Sequence, residues 1–365
     1  MFPHTLLKKG LVIIMMDQTR KIGVAIAGCG AITRTRHVPE YRDNSNVLMK
    51  GFYDYDLNRA KELAGLHGGK AYGSYEELLD DHEVQAVSIC TPNFLHPTHS
   101  IAAMEAGKDV LCEKLMAPTL KEARAMIDAQ KHTGRVLMLG HNQRLIRTHI
   151  LAKSLLDQGA IGKVLYLQTN FKHAGPEAWS IEKGSTWFFD KSKAKFGVLG
   201  DLGSHKLDLV RYLLQDEVDE IFTTLTTLDK RYPDGRLIDL DDNAVCLLKM
   251  KNGIEGQMHV SWTNYGPEDN STVIYGTGGT IRIFATDTED ILIHSRDGSC
   301  ARYQTGAIST NTRQLRSGII DAFVQSVLEH TTPPVTWLDG YNTLACLEAA
   351  GISSTNGTWQ KVALY

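Results

Sequence analysis

Short apolar runs alternate with segments of helical spacing between residues 22 and 139, and this alternation constrains the fold more than any other feature. The apolar runs that predict strands are 22–28, 47–53, 86–90, 110–112 and 136–139. The helices predicted between them cover 56–66 and 101–106, and two more begin at the capping boxes of Ser74 and Thr119. Such alternation is typical of a parallel sheet with helices on both faces, which binds ligands at the carboxyl ends of its strands.

The pattern changes after about residue 150, where strand-like runs follow one another with few helices between them. The predicted strands are 164–171, 219–228, 243–250, 254–262, 271–276 and 280–284. The predicted helices are 150–156, 202–214, 313–329 and 339–354. Asn252-Gly253 is the clearest hairpin signal, so the sheet should be mostly antiparallel and open.

The chain is therefore predicted to be of the α/β class, with an N-terminal doubly wound domain and a C-terminal α+β domain. We place the N-terminal domain at 17–144 and the α+β domain at 145–365. Residues 1–16 contain an apolar run too short for a signal peptide, with no small-residue cleavage site after it. We expect them to form a mobile extension.

The first strand leads into a glycine-containing turn, Gly28-Cys29-Gly30-Ala31-Ile32. Glycines at 28 and 30 permit a tight turn and let a pyrophosphate approach the backbone at the start of a helix. The third small position of this fingerprint is occupied by Thr33, which is a departure from the usual glycine or alanine. Taken alone, the two glycines are also compatible with an ordinary turn.

Asp54 ends the second predicted strand, where a carboxylate binds the adenosine ribose in dinucleotide-binding domains. A carboxylate there would repel a 2′-phosphate, which favours NAD. Arg59 follows close behind and keeps NADP possible. Without the glycine turn, Asp54 would be read as a helix cap.

Four further motifs stand in order along the chain: Thr91-Pro92-Asn93 with His96, Glu113-Lys114, Gly140 to Arg144, and Asp201-x-x-x-His205 with Asp208. Together with the glycine turn they resemble the glucose–fructose oxidoreductase / inositol dehydrogenase (Gfo/Idh/MocA) family. The resemblance extends over essentially the whole chain from Lys21. It implies a Rossmann domain followed by a substrate domain whose open sheet often forms an oligomer interface, and so a homodimer or homotetramer.

The resemblance also implies roles for the matching residues. The positions implied to bind the cofactor are Gly28, Gly30, Ala31, Ile32, Asp54, Thr91, Pro92, Asn93, His96 and Glu113. The positions implied to be catalytic are Lys114, Asp201 and His205, and Asp208 matches a position that contacts substrate. Leu115 stands where the family usually has proline, which bears on the backbone of the lysine loop.

These residue types suit the oxidation of an alcohol. Removing the hydroxyl proton needs a base with a pKa near neutrality, and His205 is the candidate. Lys114 would place an ammonium at the reacting oxygen, where it stabilises alkoxide character. Asp201 lies four residues before His205 and is expected either to orient the imidazole or to hold the lysine.

Candidate substrate contacts besides Lys114 and Asp208 are Arg144 near the interdomain cleft, His173 at a strand end and Trp187 in the following loop. An aromatic face with polar neighbours suits a sugar or polyol ring. His259 and Trp262 lie on an alternating strand and are predicted to pack on the sheet. No histidine or cysteine spacing indicates a metal site.

Composition excludes several other classes of protein. The net charge of -3 gives no electrostatic footprint for nucleic acid, and no apolar run reaches the 18 residues that a membrane span needs. Six scattered cysteines without a C-x-x-C pair favour a reducing cytoplasm. We therefore expect a cytoplasmic NAD(P)-dependent oxidoreductase acting on a sugar, sugar derivative or cyclitol.

Two alternative functions remain open from the sequence. The first is an NAD-dependent glycosidase of the same fold, which would recycle its cofactor through transient oxidation. The second is a catalytically silent NAD(P)-binding sensor, against which the retention of Lys114, Asp201 and His205 argues.

Overall fold

The computed structural model describes residues 20–181, 187–286, 288–306 and 316–365, in two sheets with helices packed against them. The predicted extension at 1–16 lies outside the described residues. Both predicted sheet types are confirmed, because the first sheet is parallel and the second is mostly antiparallel.

The first sheet has six parallel strands in the order β3-β2-β1-β4-β5-β6. Its strands are β1 (Ile22–Ala27), β2 (Val47–Tyr53), β3 (Lys70–Ala71), β4 (Ala86–Ile89), β5 (Asp109–Cys112) and β6 (Leu137–Leu139). β1 is buried along its whole length, as its uninterrupted apolar sequence predicts for a central parallel strand. β3 was not predicted, since two half-exposed residues carry no alternating pattern.

Helices connect these strands, and three of them begin at a polar cap. The connecting helices are α1 (Val38–Asp43), α2 (Leu57–His67), α3 (Tyr75–Asp80), α4 (His96–Glu105) and α5 (Leu120–Thr133). Asp56, Ser74 and Thr119 each accept a backbone N–H of the first turn of α2, α3 and α5. The predicted start of α4 at residue 101 was wrong: the helix begins at His96. Its first turn contains Pro97 and polar residues, which give no apolar helical spacing.

The second sheet has nine strands in the order β14-β13-β12-β11-β7-β10-β9-β8-β15. They are β7 (Val164–Lys172), β8 (Val218–Thr226), β9 (Asn243–Met250), β10 (Glu255–Ser261), β11 (Thr272–Gly276), β12 (Gly279–Ile283), β13 (Ile291–Ser295), β14 (Cys300–Tyr303) and β15 (Gln360–Lys361). β7 and β10 pair in parallel, with Lys172 opposite Ser261, so their carboxyl ends meet at one edge of the sheet. The last three strands were not predicted.

The remaining α-helices in the described residues are α6 (Arg147–Asp157), α7 (Lys191–Ala194), α8 (Ser204–Leu214), α9 (Ile319–Glu329) and α10 (Trp337–Asn356). The first residues of the helix predicted at 313–329 lie outside the described residues. Two π-helical turns, Thr33–His37 and Leu199–Gly203, lead directly into α1 and α8. Such turns are rare and often mark functional sites.

The C-terminal segment packs against both sheets. Helix α10 contacts β8 of the second sheet and β6 of the first. The Leu139 N–H donates to the Val335 carbonyl over 3.1 Å, and a Cβ on Gly340 would lie 2.8 Å from the Leu139 side chain. A domain boundary at 144/145 stays a prediction, since residues near the end of the chain help to enclose the first sheet.

Candidate active site

A cleft of about 1340 Å³ lies at the carboxyl ends of the parallel strands, between the first sheet and the segments that precede α8. The predicted site residues that line it are Gly30, Ala31, Ile32, Thr91, Asn93, Glu113, Lys114, Trp187, Asp201 and His205. The predicted residues outside this lining are Gly28, Asp54, Pro92, His96, Arg144, His173 and Asp208. The cleft therefore unites the glycine turn with the three predicted catalytic groups.

The glycine turn has the geometry that a pyrophosphate requires. Gly28 has a φ of +98°, and a Cβ there would lie 2.5 Å from the Cys90 carbonyl group, so only glycine fits. A Cβ on Gly30 would meet no atom within 4 Å, which leaves open space over the turn. The buried Thr33 hydroxyl donates to the Gly28 carbonyl over 2.5 Å, so this departure from the fingerprint braces the turn.

Asp54 braces the same turn from the end of β2. Its Oδ2 accepts the Cys29 N–H at 2.7 Å and its Oδ1 accepts the Asp56 N–H at 2.9 Å. Asp54 is buried and does not line the cleft, whereas Arg59 does. The open turn and the fixed carboxylate fit a dinucleotide such as NAD, and the contact of Asp54 with the ribose stays a prediction.

Glu113 is buried beneath the cleft and held by several groups. Its Oε1 accepts His37 Nε2 at 2.9 Å and lies 3.4 Å from a guanidinium nitrogen of Arg36. Burial raises the pKa of Glu113, but the His37 hydrogen bond and the Arg36 charge outweigh it and lower the pKa to about 2. A Cβ on Gly140 would lie 2.8 Å from Glu113 Oε2, so a side chain at 140 would displace the carboxylate.

Arg36 and His37 were missed by the sequence interpretation. His37 Nδ1 pairs with the Ser88 hydroxyl at 3.2 Å, and the Tyr41 hydroxyl pairs with Ser88 at 2.6 Å. This buried chain of hydrogen bonds fixes the imidazole that holds Glu113. The signal available in the sequence was the position of Arg36-His37, six and seven residues beyond Gly30 of the glycine turn.

Lys114 and Asp201 form the centre of the site. Lys114 Nζ donates to Asp201 Oδ1 at 2.7 Å and to the Asp201 carbonyl at 2.9 Å. The indole Nε1 of the buried Trp262 donates to Asp201 Oδ2 at 3.1 Å. Of the two roles expected for Asp201, the structure shows the one that holds the lysine. The packing role predicted for Trp262 was incomplete, because its N–H also fixes this carboxylate.

The loop that carries Lys114 and Leu115 is held in place by the buried His96. The Lys114–Leu115 peptide bond is cis, and the Leu115 side chain is buried. His96 lies with its Nδ1 at 2.5 Å from the Leu115 carbonyl and its Nε2 at 2.8 Å from the Thr91 carbonyl. His96 was predicted to contact cofactor, but it is fully buried and instead ties the Thr91 loop to the Lys114 loop.

Two histidines lie beside Phe171, with the rings of His173 and His205 at 5.8 Å and 6.0 Å from its ring. His205 lines the cleft, and its removal from water lowers its pKa well below the usual range, with the Lys114 charge lowering it further. His173 is buried; its Nδ1 accepts the Gly175 N–H, and burial lowers its pKa. Among the described residues, neither His205 Nδ1 nor His173 Nε2 has a hydrogen-bond partner. Both imidazoles are therefore neutral at neutral pH.

Lys206 follows His205 and points away from the cleft into the second domain. The side chain is fully buried, with Nζ 3.0 Å from the Asn270 carbonyl and 3.5 Å from the Thr272 hydroxyl. Burial lowers its pKa to about 7. The sequence interpretation gave this lysine no role, although it stands inside the Asp201 motif.

Arg144 and Asp208, both predicted to contact substrate, form a buried ion pair instead. Two guanidinium nitrogens of Arg144 lie 2.7 Å from the two Asp208 oxygens, and a third nitrogen lies 2.8 Å from Asp339 on α10. Neither Arg144 nor Asp208 lines the cleft. The pair joins the end of the first domain to α8 and α10, which is a structural role.

Aromatic side chains form one wall of the cleft. Trp187 stacks on Phe188 at a ring distance of 4.0 Å, and Trp179 meets Phe188 edge-on at 5.2 Å.

Within the described ranges, no group of His, Cys, Asp or Glu is arranged to hold a metal ion. No helix in the described part of the chain is long and apolar enough to cross a membrane.

Comparisons with known proteins agree with this geometry. Residues 22–141 match the model described as oxidoreductase family, NAD-binding Rossmann fold, and residues 149–282 match the GFO/IDH/MocA C-terminal domain. A levoglucosan dehydrogenase of Pseudarthrobacter phenanthrenivorans is 33% identical over 60% of this chain and 60% of its own length. A glucose-6-phosphate 3-dehydrogenase of Bacillus subtilis is 32% identical over 64% of this chain and 65% of its own length.

A solved structure of levoglucosan dehydrogenase in complex with NADH and levoglucosan superimposes with a TM-score of 0.84. It is 24% identical and covers 95% of this chain and 100% of that one, a likeness that establishes the fold. The two family models together account for both domains in their order along the chain. The chain therefore belongs to the Gfo/Idh/MocA family of oxidoreductases.

Proposed function

We propose that this protein is an NAD-dependent dehydrogenase that interconverts a secondary alcohol and a ketone on a sugar, sugar derivative or cyclitol. The observation that carries the proposal is the Lys114–Asp201 pair in a cleft that also contains the glycine turn and His205. The family match supports the same reaction class. NAD, when bound, supplies the group that accepts or returns the hydride.

Lys114 acts on the reacting oxygen. Two of its three N–H donors go to Asp201, which aims the third donor into the cleft. The ammonium stabilises negative charge on the oxygen as the hydroxyl loses its proton, and it polarises the carbonyl in the reverse direction. Trp262 keeps Asp201 in place and so acts as a positioning residue.

His205 takes the hydroxyl proton. Burial holds its pKa well below the near-neutral value expected from the sequence, so the imidazole is neutral at neutral pH and can accept a proton, but it is a weaker base than expected. The buried His173 lies where the charges of Asp201 and Lys114 affect its pKa, but it does not line the cleft, and its substrate contact stays a prediction.

NAD is the proposed cofactor in preference to NADP, since the Asp54 carboxylate stands at the end of β2. Arg59 lines the cleft nearby and leaves NADP as a second cofactor. All six cysteines are free thiols, which supports a cytoplasmic location.

The outer face of the second sheet is proposed to join copies of the chain into a dimer or tetramer. Leu165, Val245 and Leu247 lie on it with exposures of 52%, 38% and 42%. Exposed apolar side chains on one face mark an interaction surface. A Leu247→Glu variant should shift the mass measured by light scattering from oligomer towards monomer.

The test is an absorbance screen at 340 nm with NAD and NADP separately, against cyclitols, aldoses and sugar acids. We expect NADH to accumulate with a neutral ring substrate. In Lys114→Ala the rate should fall on the order of 10²–10³-fold, because an electrostatic donor is lost, with little change in the Kd for NADH. Lys121→Ala, which changes an exposed lysine on α5, is the matched control and should keep full activity.

NAD binding without turnover of any alcohol would refute the dehydrogenase. Hydrolysis of p-nitrophenyl glycosides without net NADH release would then identify a glycosidase. A Lys114→Ala variant that keeps its full biological effect would identify a sensor.

A further inference from the structure

We propose that the cleft contains an apolar subsite beside the reacting carbon, so that the substrate is a neutral ring bearing an alkyl or aryl ether substituent. This inference rests on the dehydrogenase function proposed above and narrows its substrate class. It also predicts that unsubstituted cyclitols and phosphorylated sugars bind poorly.

The subsite starts next to the catalytic pair. Trp262 binds Asp201, and its ring lies 6.4 Å from Phe188 in a perpendicular arrangement. Phe188 in turn stacks on Trp187 and meets Trp179 edge-on. An unbroken series of aromatic contacts therefore leads from the Lys114–Asp201 pair to the wall of the cleft. A group attached close to the reacting carbon is what this wall would contact.

The wall offers apolar surface and few hydrogen-bonding groups. The described apolar side chains that line the cleft here are Phe171, Trp179, Ile181, Trp187, Phe188 and Phe196. Ile181 is 39% exposed, which leaves apolar area for a ligand to cover. Hydroxyls that point at the carbon atoms of these side chains would lose their hydrogen bonds to water without a partner in that part of the described wall, so an apolar substituent fits this part of the cleft.

Charge argues for a neutral substrate. The cationic side chains among the described lining are Arg36, Arg59 and Lys114. Each lies beside a carboxylate, at 3.4 Å from Glu113, 3.5 Å from Asp56 and 2.7 Å from Asp201 respectively. None of the three belongs to the aromatic wall, so the described wall offers no cation to a phosphate or a carboxylate.

One polar atom in the wall matches an ether. The Trp179 Nε1–H is buried and, within the described chain, has no hydrogen-bond acceptor. An indole N–H only donates, and an ether oxygen only accepts. An alkyl or aryl ether would therefore satisfy Trp179 while its hydrocarbon part covers Ile181 and Trp187.

The test measures binding to the complex with NADH, in which no oxidation can occur. Glucose, methyl β-glucoside and phenyl β-glucoside are titrated by calorimetry, with phenol and glucose 6-phosphate as controls. We expect phenyl β-glucoside to bind at least about tenfold more tightly than glucose, since a phenyl group buries enough apolar area for this. Phenol alone and glucose 6-phosphate should show no comparable gain.

Two variants test the wall itself. Trp187→Ala and Ile181→Asp should each remove most of the gain for the phenyl group, and Ile181→Asp changes a side chain too exposed to be needed for folding. Trp359→Ala is the matched control, because this tryptophan lies far away against Phe222. Equal binding of glucose and phenyl β-glucoside, or tighter binding of glucose 6-phosphate, would overturn the proposal.

The binding test is independent of turnover. A phenyl gain without NADH formation from any alcohol would refute the dehydrogenase and keep the subsite. Turnover of unsubstituted sugars without a phenyl gain would refute the subsite alone.

Discussion

The buried Lys206 should make the stability of the protein depend on pH in a way that one substitution can reverse. Its folded-state pKa of about 7 lies below the ordinary lysine pKa of 10.5. Above pH 10.5 the lysine is neutral in both states and costs nothing. As the pH falls towards 7, the unfolded chain binds a proton that the folded chain does not, so stability is lost progressively. Below pH 7 the full cost is present.

The free energy of unfolding lost by burying Lys206 follows from the difference between its folded and unfolded pKa, at about 1.4 kcal/mol for each pH unit between the two values. It amounts to about 5 kcal/mol at pH 6, about 2 kcal/mol at pH 9 and almost nothing above pH 10.5. Lys206→Met removes this cost while keeping a similar volume. It leaves the Asn270 carbonyl without its ammonium donor, which costs roughly 1–3 kcal/mol.

The variant should therefore be more stable than the wild type at pH 6–7 and equal or less stable above about pH 9. Urea denaturation at several pH values, followed by tryptophan fluorescence, measures the difference in free energy of unfolding. Taking this difference cancels the titration of the buried cysteines and tyrosines, which both proteins share. A difference that stays constant from pH 6 to pH 10, or a variant that is less stable at pH 6, would refute the reasoning.

Three further predictions concern the site. Gly140→Ala should weaken NAD binding and slow turnover by about tenfold, because its Cβ would displace Glu113; titration with NAD checks this, with Gly65→Ala as the control that meets no neighbour. Trp262→Phe should lower kcat by about tenfold or more, since a donor to the Asp201 carboxylate is lost; an unchanged kcat would mean that Asp201 does not need it. The value of kcat/KM should fall only at a pH well below 6.5, the ordinary pKa of histidine, because His205 stays neutral above its lowered pKa. A fall of kcat/KM that begins at higher pH and is abolished in His205→Asn would contradict this.

The sequence predicted those parts of the fold that local patterns encode. β2 and β9 were both predicted at the residues where they lie. In β9 the reason is its alternating burial, which leaves a direct trace of period two in the sequence. β13 and β14 were missed because they are short, at five and four residues, and β14 at the sheet edge has no buried residue to mark it. The start of α4 was missed because its first turn carries polar residues and a proline.

The candidate site divides in a similar way. The family resemblance identified Lys114 and Asp201 as candidate catalytic residues. They lie 87 residues apart in the sequence, and in the structure they form one ion pair. The resemblance could not show that Arg144 and Asp208 satisfy each other, because that depends on how α8 meets the end of the first domain. Arg36, His37 and Trp262 were missed for the same reason: a buried hydrogen bond between distant segments leaves no periodic signal.

The contacts of Val335 and Gly340 with β6 also determine when, during translation, the first sheet can be completed. β6 is the last strand of the first sheet, and its open edge is covered only when the Leu139 N–H reaches the Val335 carbonyl. The ribosome must therefore complete strands β7 to β14 of the second sheet before the first sheet can close. During that interval an unpaired edge strand remains available to other nascent chains. A chain released before residue 335 would keep its glycine turn, but its β6 would remain an unpaired edge strand that can pair with other chains.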